Sequence, residues 1–266
     1  MPPERVIARK FTQSAGSWWQ HGGVQIDSVR RRAVAAATLG TLLATLSACG
    51  TSAPAPARGA HGAARTPTAS SDPTRIPGVG DRLHRRIPAD SRQVVAVYGE
   101  GHDSAASRVV LYTRQGTHWH PTGSWPAHNG RNGWTTQHHE GDARSPVGVF
   151  TLTDAGGVLA DPGTRLPYDH DKGAYAPPAE WDEAHQHDFD YVIAIDYNRV
   201  KGTPPRDATR PWGTDKGGGI WLHMDHGSGT SACVSVSKRA MEFLLRTLDP
   251  DRHPVVVMGD RATLKA

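Results

Sequence analysis

GIWLH (Gly219–His223) and CVSV (Cys233–Val236), joined by MDHGSGTSA (Met224–Ala232), are the stretch on which the reading of this chain turns. Each run is short, rich in β-branched or aromatic residues and bounded by glycine or small polar residues, the composition of a strand between turns. Side chains alternate faces along a strand. Ile220 and Leu222 therefore share one face, and Trp221 and His223 the other; in the second run Val234 and Val236 take the apolar face and Cys233 and Ser235 the opposite one. If the two strands are neighbours, parity brings His223 and Cys233 together away from the apolar face, across the mouth of a hairpin. A free thiol with a pKa of about 8.5 is mostly protonated at neutral pH, and an adjacent imidazole can take its proton to leave a nucleophilic thiolate. The same ring can later return a proton to a leaving amine. His226 lies nearer Cys233 in sequence and competes as base, but a loop holds it less firmly than a strand holds His223. Backbone amides across Gly229, Thr230, Ser231, Ala232 and Cys233 are candidate donors to an oxyanion.

Outward from this stretch, five more strands are expected: Gln93–Tyr98, Arg108–Tyr112, Val147–Thr153, Tyr191–Asp196 and Val255–Met258. One helix is expected, Ser237–Leu248, with Ser237 as its cap and Met241, Leu244, Leu245 and Leu248 at helical spacing. Many short strands with a single late helix make a mainly β domain. Asp154–Asp190 is polar and rich in Gly, Pro, Asp and His. It predicts no regular element, and is read as a cover over the substrate or a loose insertion.

The stretch GGGIWLHMDHGSGTSACVSVS (217–237) resembles the catalytic signature of the L,D-transpeptidases, the YkuD-like, ErfK/YbiS-type family. The upstream segment HNGRNGWTTQHHEGDARSPVGVF (128–150) resembles that family's Gly-Asn-Gly, Glu-Gly-Asp and Thr-Pro-x-Gly-x-Phe region, carried here by Gly130–Gly133, Glu140–Asp142 and Ser145–Phe150. YVIAIDYN (191–198) fits as well, and together these segments span most of residues 93–259. The resemblance implies a β-sandwich with one late helix after the Cys motif, Cys233 as the acylated nucleophile and His223 as its base. It implies attack on the peptide bond after the third residue of a peptidoglycan stem, release of the terminal D-amino acid, and transfer of the acyl group to an amine, or to water in a carboxypeptidase. Tyr197, Asn198 and His226 are candidate substrate contacts. The family needs no metal and no organic cofactor. This chain departs from the family pattern at Ala232, where glycine is usual, at Ser231, where one form has histidine, and at Ser235 in place of Arg or Asn. A positive φ at position 232 would strain alanine.

The ends of the chain read differently. Arg30–Arg32 precede an apolar run, Ala33–Leu46, that closes in Leu46-Ser47-Ala48-Cys49. This is the layout of a secretory signal, shorter than the roughly 20 residues a spanning helix needs, and its ending resembles a bacterial lipobox with Cys49 lipidated. Residues 1–48 are thus expected to be a signal peptide, 49–77 a disordered tether rich in Ala, Pro, Ser and Thr, and 78–266 one catalytic domain, monomeric and held at the outer face of the cell membrane by its lipid. Cys233 is then the one thiol left in an exported domain, where lone thiols are avoided. Residues 1–48 carry six Lys/Arg against two Asp/Glu, which is the chain's whole excess of +4; the remainder has 24 of each sign. That balance removes the argument for a nucleic-acid partner. Fifteen histidines, among them His118/His120, His138/His139, His185 and His187, invite a zinc-dependent wall peptidase, but no HExxH or comparable spacing is present. A catalytically inactive wall-binding lipoprotein of the same fold is the remaining alternative.

Overall fold

The computed structural model describes residues 72–266. The expected signal, Cys49 and the tether as far as residue 71 lie outside the described residues. The last part of the expected tether, residues 72–77, belongs to the folded body: Ile76 is buried, and the Pro73 carbonyl accepts the Trp119 N–H at 2.8 Å.

Twelve strands are found among the described residues: β1 (Gln93–Gly99), β2 (Ala106–Gln115), β3 (His118–His128), β4 (Trp134–Thr135), β5 (Ser145–Pro146), β6 (Gly148–Thr151), β7 (Ala155–Gly157), β8 (Tyr168–His170), β9 (Val192–Ala194), β10 (Trp221–Met224), β11 (Val234–Val236) and β12 (Val255–Asp260). Ten of them form one sheet in the order β6-β12-β1-β2-β3-β11-β10-β9-β7-β8, with β4 and β5 as a separate parallel pair. Val95, Val97, Val109, Leu111, Val256 and Met258 from one half of the sheet share a core with Ile193, Leu222, Val234 and Val236 from the other. The single sheet is therefore doubled over into the expected sandwich, and the alternation of strand side chains decides which residues fill it. Val94, Ala96, Val255 and Val257 point the other way, against Leu83 of α1 (Asp81–His84), Leu264 of α3 (Arg261–Lys265), Ile76 and Val79.

The late helix, α2 (Lys238–Thr247), begins where its sequence says it should. The Ser237 hydroxyl accepts the Ala240 N–H and supplies one of the acceptors that the first turn lacks. Ala240, Met241, Leu244 and Leu245 are fully buried against the doubled sheet. Burial of a leucine-sized side chain contributes about 1.5–3 kcal/mol, so α2 is a principal clamp on β10 and β11.

Two expectations are corrected. β10 and β11 run parallel, in the register Leu222↔Val234, His223↔Ser235 and Met224↔Val236, and so do not form a hairpin. The loop Asp225–Cys233 therefore has to return the chain to the start of β10. The parity of the side chains survives because it depends on each strand and not on their relative direction. The segment 154–190, expected to lack regular structure, contributes β7 and β8 and the short turn Glu183–His185, and buries Tyr175 and Phe189 in a third apolar cluster with Val192, Ala194 and Trp221. A long strand, β3, lay unseen in HWHPTGSWPAH. Its prolines and exposed side chains hide the strand pattern, yet it pairs with β2 along its length and with β11 only at Ala127 and His128. Pro121 and Pro126 are thus tolerated where one side of the strand is free.

Candidate active site

Trp221, His223, Cys233 and Ser235 share one face of β10 and β11, opposite Leu222, Val234 and Val236. That face is covered, contrary to the exposed surface that parity alone suggests. Phe189 packs edge-on to both Trp221, with centroids 5.3 Å apart, and His223, at 5.6 Å. Val158 and Trp181 close the same cluster around Cys233. The segment 154–190 is therefore a packed cover over the thiol.

Cys233 keeps partial solvent contact as a residue, but its sulfur is enclosed by protein. The thiol donates toward the Gly219 carbonyl at 3.7 Å and accepts the Trp221 N–H at 3.4 Å. Burial pushes the thiol up to about 12; the Trp221 amide opposes this and the charge of Asp188 adds to it. His223 is 3 % exposed, and burial holds its pKa below the ordinary imidazole value, against the opposing pull of Asp188 and the Met224 carbonyl. Its Nδ1 lies 2.7 Å from the Met224 carbonyl oxygen. A carbonyl only accepts, so Nδ1 carries the proton and Nε2 presents a lone pair. The resting pair is thus a neutral thiol and a neutral imidazole with its basic nitrogen fixed. Asp225, a second candidate to orient the imidazole, instead accepts from Ser235 Oγ and His128 Nδ1, each at 2.7 Å.

The loop before Cys233 is fixed by two contacts of Thr230, one from its hydroxyl and one from its amide. Thr230 Oγ1 donates to the Cys233 carbonyl at 2.7 Å, and the Thr230 amide donates to the Asn129 carbonyl at 2.9 Å. Thr230 N–H is therefore spent on the fold, and the oxyanion candidates narrow to Gly229, Ser231, Ala232 and Cys233. A Cβ on Gly229 would meet Arg131 Cα at 2.6 Å and Ala105 Cβ at 2.8 Å, so this glycine is required by close approach of two backbones. Ala232 does not have a positive φ; the described non-glycine residues that do are Ala143, Asn198 and His253. Its methyl is buried in the core, so the alanine replacing the family's glycine is unstrained.

Tyr197 and Asn198 serve the backbone. The Tyr197 hydroxyl donates to the Lys216 carbonyl at 2.9 Å, and Asn198 Nδ2 donates to the carbonyls of Gly213 and Gly217 while its Oδ1 accepts the Trp212 N–H. Both hold the loop 212–217, which leads into the Gly219 carbonyl that receives the thiol. His226 lies outside the strand, stacked on His223 with centroids 6.1 Å apart, and its Nδ1 is 3.1 Å from Asp188.

Two residues of the site escaped sequence reasoning. Ser145 is fully buried, and its hydroxyl accepts the Gly130 N–H at 2.9 Å and donates to the Ala232 carbonyl at 2.6 Å. It lies in the upstream segment that resembles the family, which was its only signal. Asp188 joins the cover to the site: its backbone carbonyl accepts the Met224 N–H at 3.0 Å, and its carboxylate faces His185 and His226. Hydrogen bonds from those two rings outweigh burial and hold its pKa below the usual carboxylate value. Nothing in a polar loop marked it out. Neither His118/His120 nor His138/His139 gathers a metal-ligating set; among the described residues, His185, Asp188 and His226 are the one group of three that does.

A comparison with curated proteins gives no match. Among solved structures, that of Bdellovibrio bacteriovorus Bd1075 is similar at 17 % identity and a TM-score of 0.36, covering 70 % of this chain and 52 % of that one, so the chain spans about half the length of that protein. The model of the YkuD L,D-transpeptidase catalytic domain matches residues 102–257, a span that runs from the β1–β2 turn into β12 and encloses every residue of the site just described. The chain belongs to the YkuD family of L,D-transpeptidase catalytic domains.

Proposed function

We propose that this domain transfers acyl groups of peptidoglycan stem peptides through a thioester on Cys233, with His223 as the base. Members of the family are acyltransferases of the L,D-transpeptidase type; the residue assignment is ours. The observation that carries it is the orientation of His223: Nδ1–H is locked on the Met224 carbonyl, leaving Nε2 basic on the face that Cys233 shares.

In this reading the Cys233 thiol leaves the Gly219 carbonyl to meet Nε2 when substrate binds, and Nε2 takes the thiol proton. The thiolate adds to the carbonyl carbon after the third stem residue, and amides of the 231–233 loop receive the oxyanion. As the C–N bond breaks, Nε2–H gives its proton to the departing D-amino acid. An amine acceptor then adds to the thioester, its proton passes to Nε2, and Cys233 leaves as thiolate and is reprotonated. A raised thiol pKa fits this order of events, since the proton leaves only when substrate and base are both in place. Ser145 and Thr230 position the loop and do not touch the reacting atoms.

The same reading places the domain on the outer face of the membrane through lipid on Cys49, so Cys49→Ala should abolish incorporation of a labelled fatty acid. For the reaction itself, a tetrapeptide stem should release its terminal D-amino acid with the wild-type protein and with chelator present. Cys233→Ala should release none. Release by Cys233→Ala, lost on adding chelator, would replace this proposal with a metal peptidase.

A further inference from the structure

Outside the proposed Cys233–His223 pair, the described residues hold one other convergence of ligating side chains. His185 and Asp188 come from the cover, and His226 from the loop after β10. His185 Nδ1 is 2.9 Å from the Asp188 carboxylate and His226 Nδ1 is 3.1 Å from it. One ligating atom from each of the three residues lies within 4.8 Å of the others. Ligands about 2.0–2.1 Å from a tetrahedral zinc ion stand roughly 3.3 Å from one another, so the three groups need to move by only a fraction of that distance to share an ion. Two imidazoles and one carboxylate, with a fourth position open, is a donor set that zinc takes.

A second observation points the same way. The His226 side chain is 3 % exposed, and its Nε2 is buried without an aligned hydrogen bond, although the ring's polar edge lies by the Gly229 carbonyl. With Nδ1 turned to the Asp188 carboxylate, the second ring nitrogen is left buried with no aligned partner of its own, at a cost in free energy. A metal ion on Nδ1 would fix the ring proton on Nε2, on the side of the Gly229 carbonyl. Metal-bound histidines usually anchor their second nitrogen in this manner. The rings of His185 and His226 are already 4.0 Å apart at their centroids, close enough for one ion to replace the protons that now bind both to Asp188.

We propose that His185, Asp188 and His226 bind a zinc-class divalent transition-metal ion, and that this ion fastens the cover 154–190 to the loop that follows His223. The ion ties two segments that otherwise meet through side-chain packing, the Met224–Asp188 backbone hydrogen bond and the His226–Asp188 side-chain contact. Its binding is read directly and does not require acyl transfer by Cys233.

The test is titration of the metal-free protein, residues 72–266 in the full chain, with Co²⁺ followed by visible absorption, and with Zn²⁺ followed by calorimetry. One ion per chain is expected. His185→Ala and the isosteric Asp188→Asn should each weaken binding at least tenfold. The double variant His118→Ala/His120→Ala and Cys233→Ser should bind as the wild type does. Zn²⁺ should also slow proteolytic cleavage within 171–187 in the wild type and not in His185→Ala. His185 is partly exposed on a short turn, and a melting curve equal to the wild type's would show that its variant folds. Binding undiminished in both ligand variants overturns the proposal, as does the absence of binding. A sulfur-to-cobalt charge-transfer band that vanishes in Cys233→Ser would also overturn it, by placing the ion on the thiol. Failure of any of these leaves the acyl-transfer reading to its own test.

Discussion

Replacing Ala232 with glycine inverts the usual expectation for this family position and so tests the local backbone directly. Ala232 has an ordinary φ and a methyl buried in the core. Glycine would remove that methyl, at about 0.8 kcal/mol for a buried group of its size. It would also widen the unfolded ensemble, at about 0.4–1 kcal/mol. The sum is a loss of about 1–2 kcal/mol. A left-handed backbone at this position would cancel that loss or reverse it, because glycine would relieve a strain of roughly 1–2 kcal/mol. Urea titration of Ala232→Gly against the wild type reads the difference as a shift in midpoint at unchanged slope. A midpoint equal to the wild type's or higher would refute the reasoning. The rate of Cys233 acylation, measured alongside, should change little, since the 231–233 amides keep their places.

Three further outcomes are expected. Ser145→Ala leaves the Gly130 N–H and the Ala232 carbonyl without their buried partner; it should cost about 2–4 kcal/mol in chemical denaturation and lower acylation in the protein that remains folded. Alkylation of Cys233 by iodoacetamide should rise about tenfold per pH unit from pH 7 to 9, as expected for reaction through the thiolate, because a thiol pushed up to about 12 is protonated throughout; a plateau below pH 8 would show the thiolate to be stabilised at rest. Arg199→Met strands two buried carboxylates, Asp154 and Asp196, that its guanidinium now bridges, and should lower stability by about 3–5 kcal/mol, read by the thermal or urea midpoint.

The parts of the fold that were legible from sequence are the short apolar runs bounded by turn residues. Val94–Val97 and Val255–Met258 are apolar throughout because both of their faces are buried, the runs on either side of the Cys233 loop separate an apolar face from a face that carries His223 and Cys233, and α2 shows by its cap and its leucines. Strand direction does not follow from alternation: a nine-residue connection rich in glycine suits a hairpin, and only packing against β3 and β9 shows that β10 and β11 run parallel. β3 was hidden because most of its length has no second partner strand and carries prolines. Within the site, Cys233 and His223 could be paired by parity since both lie in strands. Ser145 and Asp188 could not, because a hydroxyl 88 residues from the cysteine and a carboxylate in a polar loop acquire meaning only when the sheet folds over. The cover shows the same limit: Tyr175 and Phe189 are isolated aromatics in a hydrophilic stretch, yet they bury against Trp221.

The central claim is that Cys233 carries the acyl group. Intact-mass and peptide-mapping spectrometry after incubation with a tetrapeptide stem or a carbapenem tests it most directly. A mass gain equal to the acyl fragment is expected, located on the peptide containing Cys233, abolished in Cys233→Ser and slowed at least a hundredfold in His223→Gln, in keeping with the loss of a general base. No adduct in the wild type, or an adduct that persists in Cys233→Ser, would contradict it.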